Sequence, residues 1–87
     1  MPLLYTIQIK YHAIEFNGNN VEDIKKFVGD ELTNEIHVLP DGSLIFDVNK
    51  KSILLKEGEC LVKSDFHNFF VTTKDFLDKT YGKGVEV

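Results

Sequence analysis

Along residues 3–16 apolar and polar side chains alternate. Leu3, Tyr5, Ile7, Ile9 and Tyr11 fall on one face, while Thr6, Gln8, Lys10 and His12 fall on the other. This period of two marks a long strand with one solvated face. The phase changes at Ala13: Ile14 and Phe16 continue the positions that had been polar, and Glu15 takes one that had been apolar. Two arrangements satisfy the change. A bulge or bend near residues 12–14 returns Ile14 and Phe16 to the core, or a strand crosses between two packed surfaces.

Asn17-Gly18-Asn19-Asn20 then reads as a turn, because glycine and asparagine tolerate positive φ. Val21, Ile24, Phe27 and Val28 recur at helical spacing, with Glu22, Asp23, Lys25 and Lys26 opposite, Asn20 placed to cap and Gly29 as a stop. Residues 30–34 read as a loop. A strand follows at Ile36 and Val38 and ends at Pro40-Asp41-Gly42, a turn in which proline sets φ and glycine permits the left-handed residue. Strands at 43–48 and 53–55 form a meander around a polar 49–52 turn, and strands near 60–63 and 69–71 form a hairpin around 64–68. Threonine with aspartate three residues on, at Thr72 and Asp75, resembles a capping box and predicts a last helix over about 74–80, with Phe76, Leu77 and Tyr81 as its apolar contacts. The expectation is one α+β domain over residues 1–87, order β-α-β-β-β-β-β-α, with a small antiparallel sheet that curls into a partial barrel and a flexible tail at 82–87.

Composition narrows the function classes. Hydrophobic residues at 43% and charged residues at 28% suit a soluble globular domain, and no apolar run reaches the roughly 18 residues of a membrane helix. A cytoplasmic protein without membrane partner is expected. A single cysteine, Cys60, excludes an internal disulfide and reads as packing. All ten basic residues are lysines and the formal charge is −4. Without the guanidinium fork, sequence-specific DNA recognition is disfavoured, and the negative charge opposes general phosphate attraction.

The three histidines, His12, His37 and His67, lack metal-ligand spacing, so neither metal nor cofactor is expected. No G-x-S-x-G nucleophile turn occurs, and a chain this short has little room for a water-excluding site beside its core. An enzyme is therefore the disfavoured class. The glycine turn before the first helix invites comparison with a phosphate loop, but Glu22 and Asp23 already bring two anions to that helix start. Attention moves to the hairpin tip, where Phe66, Phe69 and Phe70 surround polar residues; Asp65, Phe66, His67 and Phe70, with Lys63 and Tyr11, are the candidate partner- or ligand-binding residues.

From Gly58 to Tyr81 the chain reads G-E-C-L-V-K-S-D-F-H-N-F-F-V-T-T-K-D-F-L-D-K-T-Y. This resembles the pattern G-D-Y-I-I-K-G-x-x-G-E-F-Y-x-x-x-x-D-x-F-x-x-T-Y of small phage and prophage proteins of low-GC Gram-positive bacteria. Gly58, Lys63, Phe69, Asp75, Thr80 and Tyr81 match, and Glu59, Leu61, Val62 and Phe70 are close replacements. The same family's A-I-x-F-x-G-x-N-x-x-E-I-x-x-F-V-G resembles Ala13, Ile14, Phe16, Gly18, Asn20, Asp23, Ile24, Phe27, Val28 and Gly29. Ser64 and His67 stand where the family's hairpin has glycine.

The resemblance implies a phage or prophage accessory protein in a bacterial host cytoplasm, with no established catalytic residues. The leading expectation is a binding module that inhibits a host protein, such as a component of a CRISPR defence. One alternative is a homo-oligomeric sponge for a nucleotide second messenger, with Lys10 and Lys63 for charge and Tyr11 or Phe66 for stacking. Another is a virion assembly component, which calls for a self-associating coiled coil or a long edge strand; neither pattern stands out in the sequence.

Overall fold

The structure, a computed structural model, describes residues 2–82. Its elements are β1 (Tyr11–Glu15), α1 (Val21–Val28), a 3-10 turn (Gly29–Glu31), β2 (His37–Val38), β3 (Leu44–Val48), β4 (Lys51–Leu55), β5 (Glu59–Ser64), β6 (Phe69–Thr73) and α2 (Lys74–Tyr81). The fold is α+β in the expected order, and its antiparallel strands divide into two three-stranded sheets, β1-β5-β6 and β2-β3-β4. Among the described residues no helix is long and apolar enough to cross a membrane. The tail expected beyond Gly82 lies outside the described residues.

Each sheet turns one face inward. In β3 and β4 the alternate residues Leu44, Phe46, Val48, Ile53 and Leu55 are buried. They meet Phe16, Leu61 and Phe69 from the other sheet and Ile24 and Val28 from α1 in one cluster. Eight residues are too few to hold a helix alone in water, so α1 exists because Ile24 and Val28 bury completely.

Two local expectations change. Asn20 precedes α1, but its side chain makes no cap bond; its amide donates to the Glu15 carbonyl at 2.7 Å, and its oxygen accepts from the Asn17 N–H at 2.9 Å. The asparagine braces the joint between β1 and α1. At α2 the cap is Thr73, one residue later than expected, with its hydroxyl accepting from the Phe76 N–H at 3.1 Å.

Two of the hairpin turns, β3–β4 and β5–β6, place non-glycine residues in left-handed backbone. Asn49 and Lys50 (φ 47° and 66°) form the two-residue loop between β3 and β4, the geometry for which Asn-Gly is preferred. Lys50→Gly is therefore expected to stabilise the domain by about 1 kcal/mol, seen as a higher urea midpoint at unchanged slope. His67 (φ 60°) closes the Asp65-Phe66-His67 loop between β5 and β6, at the position where the resembled pattern has glycine.

The first strand departs most from expectation. Residues 3–16 read as a continuous strand, yet only Tyr11–Glu15 pairs, and residues 2–10 join no sheet. Within β1 the register against β5 runs unbroken from Tyr11 opposite Ser64 to Glu15 opposite Cys60, so no bulge accounts for the phase change at Ala13. Nor is β1 packed on both sides: it alternates regularly, and its outer side stays exposed. Ile14 and Phe16 face the core, and Tyr11 and Ala13 face outward.

β1 is also an edge strand. The Lys10 carbonyl accepts from the Asp65 N–H, and the Phe16 N–H donates to the Glu59 carbonyl, so the even-numbered residues direct their backbone groups at β5. By the alternation of an antiparallel ladder, Tyr11 and Ala13 direct theirs at the open edge. An open edge of five residues is thus a feature of this fold.

Candidate binding face

The outer face of the β1-β5-β6 sheet carries a second apolar layer. Val62, in the central strand, stands opposite Ala13 on one side and Phe70 on the other. It is 2% exposed but lies outside the central cluster, which shows that the sheet is covered on both faces here. Tyr11 and Phe70 meet edge to face above it, with ring centroids 6.3 Å apart.

Beside this pair, α2 leans over the sheet and leaves a cleft of about 1050 Å³. Tyr11, Cys60, Val62, Phe70, Phe76 and Tyr81 supply its apolar surface. No α2 residue is buried; Phe76 and Tyr81 are 52% and 75% exposed, so the apolar side of this helix looks into the cleft rather than into the core. Glu15, Asp78 and Lys74 supply its charge.

Cys60 is buried in the wall of this cleft. Burial first, and then the carboxylates of Glu15 and Asp78, push its thiol above the ordinary value, against a smaller opposing pull from Lys74. His12 reaches the same cleft, but it pairs with Lys63 while Cys60 pairs with Glu15, an offset of roughly 10 Å along the ladder. That spacing does not make a nucleophile–base pair. Native protein is expected to react with a disulfide reagent about tenfold or more slowly than free cysteine at neutral pH, accelerating as the pH rises and becoming fast in denaturant. Fast native labelling at neutral pH would contradict this environment.

The six candidates read from sequence separate into two groups. Tyr11 and Phe70 belong to the cleft. Lys63 turns to the opposite side, where its ammonium lies 3.7 Å from Glu31 Oε2, 3.5 Å from the Phe27 carbonyl and 5.7 Å from the Phe69 ring centre. His67 Nδ1 meets Glu31 Oε1 at 2.6 Å, and its carbonyl accepts from the Asn49 side chain at 2.9 Å. Lys63 and His67 thus tie the hairpin to the turn after α1 and to the β3–β4 loop. Asp65 joins the base of the N-terminal arm through both its N–H and its carboxylate to Lys10. Phe66, 65% exposed, stands at the tip.

Sequence reading missed Val62, Cys60, Phe76 and Tyr81 as parts of an outward face. The signal was the phase change at Ala13, which marked a strand with two apolar sides. Elsewhere, Ser52 and then Asn34 hydrogen-bond to Asp47, at 2.6 and 2.8 Å, and hold its carboxyl below the usual range. Asn34 thereby latches the loop after α1 to β3, and Ser52 adds a side-chain tie between β4 and β3. Comparison of the chain with protein-family models, curated proteins and solved structures finds no match.

Proposed function

We propose that this chain is a non-enzymatic phage or prophage accessory protein that binds and inhibits a protein of its bacterial host, such as a component of a defence system like CRISPR. The setting rests on the sequence resemblance. The observation that carries the binding reading is the outer cleft, where aromatic rings of β1, β6 and α2 are left uncovered. Aromatic side chains are enriched in interfaces between proteins because they bury a large area at small conformational cost. With Glu15 and Asp78 at the cleft and a formal charge of −4, the complementary surface is apolar at its centre and basic at its rim.

The nucleotide-sponge reading finds less support within one chain. Among the described residues, Lys74 is the one lysine that lines the cleft, and it shares the cleft with two carboxylates. The virion reading draws on the open edge of β1 and stands behind the inhibitor reading.

Affinity capture from host lysate tests the proposal. Wild-type protein recovers a stoichiometric partner whose activity falls on binding, and Phe76→Glu, which alters an exposed side chain, reduces recovery about tenfold or more. Absence of a stoichiometric partner, or equal recovery by Phe76→Glu, would count against it.

A further inference from the structure

Residues 3–9 extend from β1 with Leu3, Leu4, Tyr5 and Ile7 at 79%, 95%, 74% and 73% exposure. Each loses the roughly 1.5–3 kcal/mol that burial of such a side chain contributes. The arm continues a strand whose open edge presents the backbone groups of Tyr11 and Ala13. We propose that this edge is covered by the same edge of a second copy of the chain. Residues 3–15 pair antiparallel with residues 3–15 of the second copy, around a two-fold axis at Ile9. The two sheets join into one of six strands, ordered β6-β5-β1-β1-β5-β6.

Three observations select this occupant and this register. The first is the pairing that the sequence makes with itself. With Ile9 opposite Ile9 of the second copy, Ile7 faces Tyr11 and Tyr5 faces Ala13, all on the outer face. On the inner face Thr6 faces His12 and Gln8 faces Lys10, polar against polar. Leu4, which breaks the alternation of the arm, falls opposite Ile14, the residue at which the core-facing side of β1 becomes apolar. Moving the axis to Gln8 sets Leu4 against His12, and moving it to Lys10 sets two lysines against each other. The phase change in the first strand thus has a second meaning: read backwards on a second chain, it is its own complement.

The second observation is charge. None of the 14 acidic residues precedes Glu15, so in a chain of net charge −4 the arm is where two copies approach without carboxylates facing one another. Glu15 itself falls opposite Leu3, at the end of the ladder. The third is backbone direction. Odd-numbered residues of β1 point their N–H and C=O groups at the open edge, and this register places odd residues opposite odd ones, as hydrogen-bonded pairs require. The pairing also sets the two outer faces side by side, giving one continuous surface per dimer. It does not rest on the host-inhibitor reading, which concerns the cleft and α2.

Light scattering after gel filtration tests the association. The expected mass is twice the 10.0 kDa of one chain, falling to one chain in an Ile7→Lys, Ile9→Lys double variant. That variant still unfolds cooperatively in urea, because the arm contributes no buried residue to the core, while its far-UV strand signal falls with the loss of the paired arm. Cross-linking tests the register. Ile9→Cys is expected to be joined by a short bismaleimide and Leu3→Cys to stay unjoined, since the paired strands hold the two Leu3 positions about 40 Å apart. Cys60, 4% exposed, stays out of the reaction. A monomeric wild type, a dimer that persists in the double variant, or Leu3→Cys joined as readily as Ile9→Cys would each overturn the proposal.

Discussion

Phe16→Ala is expected to lower the unfolding free energy by about 3–5 kcal/mol, a large share of the roughly 5–15 kcal/mol that holds a domain of this kind. Phe16 is 1% exposed and joins both sheets and α1 in the central cluster. Its backbone is held on both sides, the N–H donating to Glu59 at 2.9 Å and the carbonyl accepting from Gly58 at 2.7 Å. The chain therefore has little freedom to move into the space the ring leaves, and the cavity persists. Urea denaturation followed by circular dichroism reads the change as a lower midpoint at unchanged slope. A loss below about 1 kcal/mol, small for deletion of a buried ring, would mean that the ring is not central to the core.

Leu61→Ala is expected to cost about 2–5 kcal/mol by the same measurement. Leu61 is fully buried at the middle of the central strand, opposite Ile14 on β1 and Val71 on β6, so truncation opens the core where three strands meet. Phe66→Ala removes a larger side chain from the exposed hairpin tip and should change stability by no more than about 0.5 kcal/mol. Equal costs for the two variants would place the core elsewhere.

Much of the fold was legible because its signals are local. The 3.6-residue spacing of Val21, Ile24 and Val28 located α1, and Gly29 ended it. Alternation through Leu44, Phe46 and Val48 named the inward side of β3 before any partner strand was known. Caps were less legible, because Asn20 had two uses for its side chain and the contact with Glu15 prevailed. The hairpin tip illustrates a further limit. Lys63 and His67 read as exposed chemistry at a turn, and they became ties to Glu31, a residue more than thirty positions away that only folding brings near.

Element order, the apolar positions and the turns follow from periodicity and backbone preference, which act over a few neighbouring residues and are written in their order. Strand pairing and coverage are different in kind. Alternation tells which side chains share a face, but it is silent on whether one sheet or two will form, and on what will lie above Tyr11, Val62 and Phe70. Those outcomes depend on contacts between distant segments, and they divided the strands into two sheets, turned α2 toward an outer cleft and left residues 3–9 outside the described sheets.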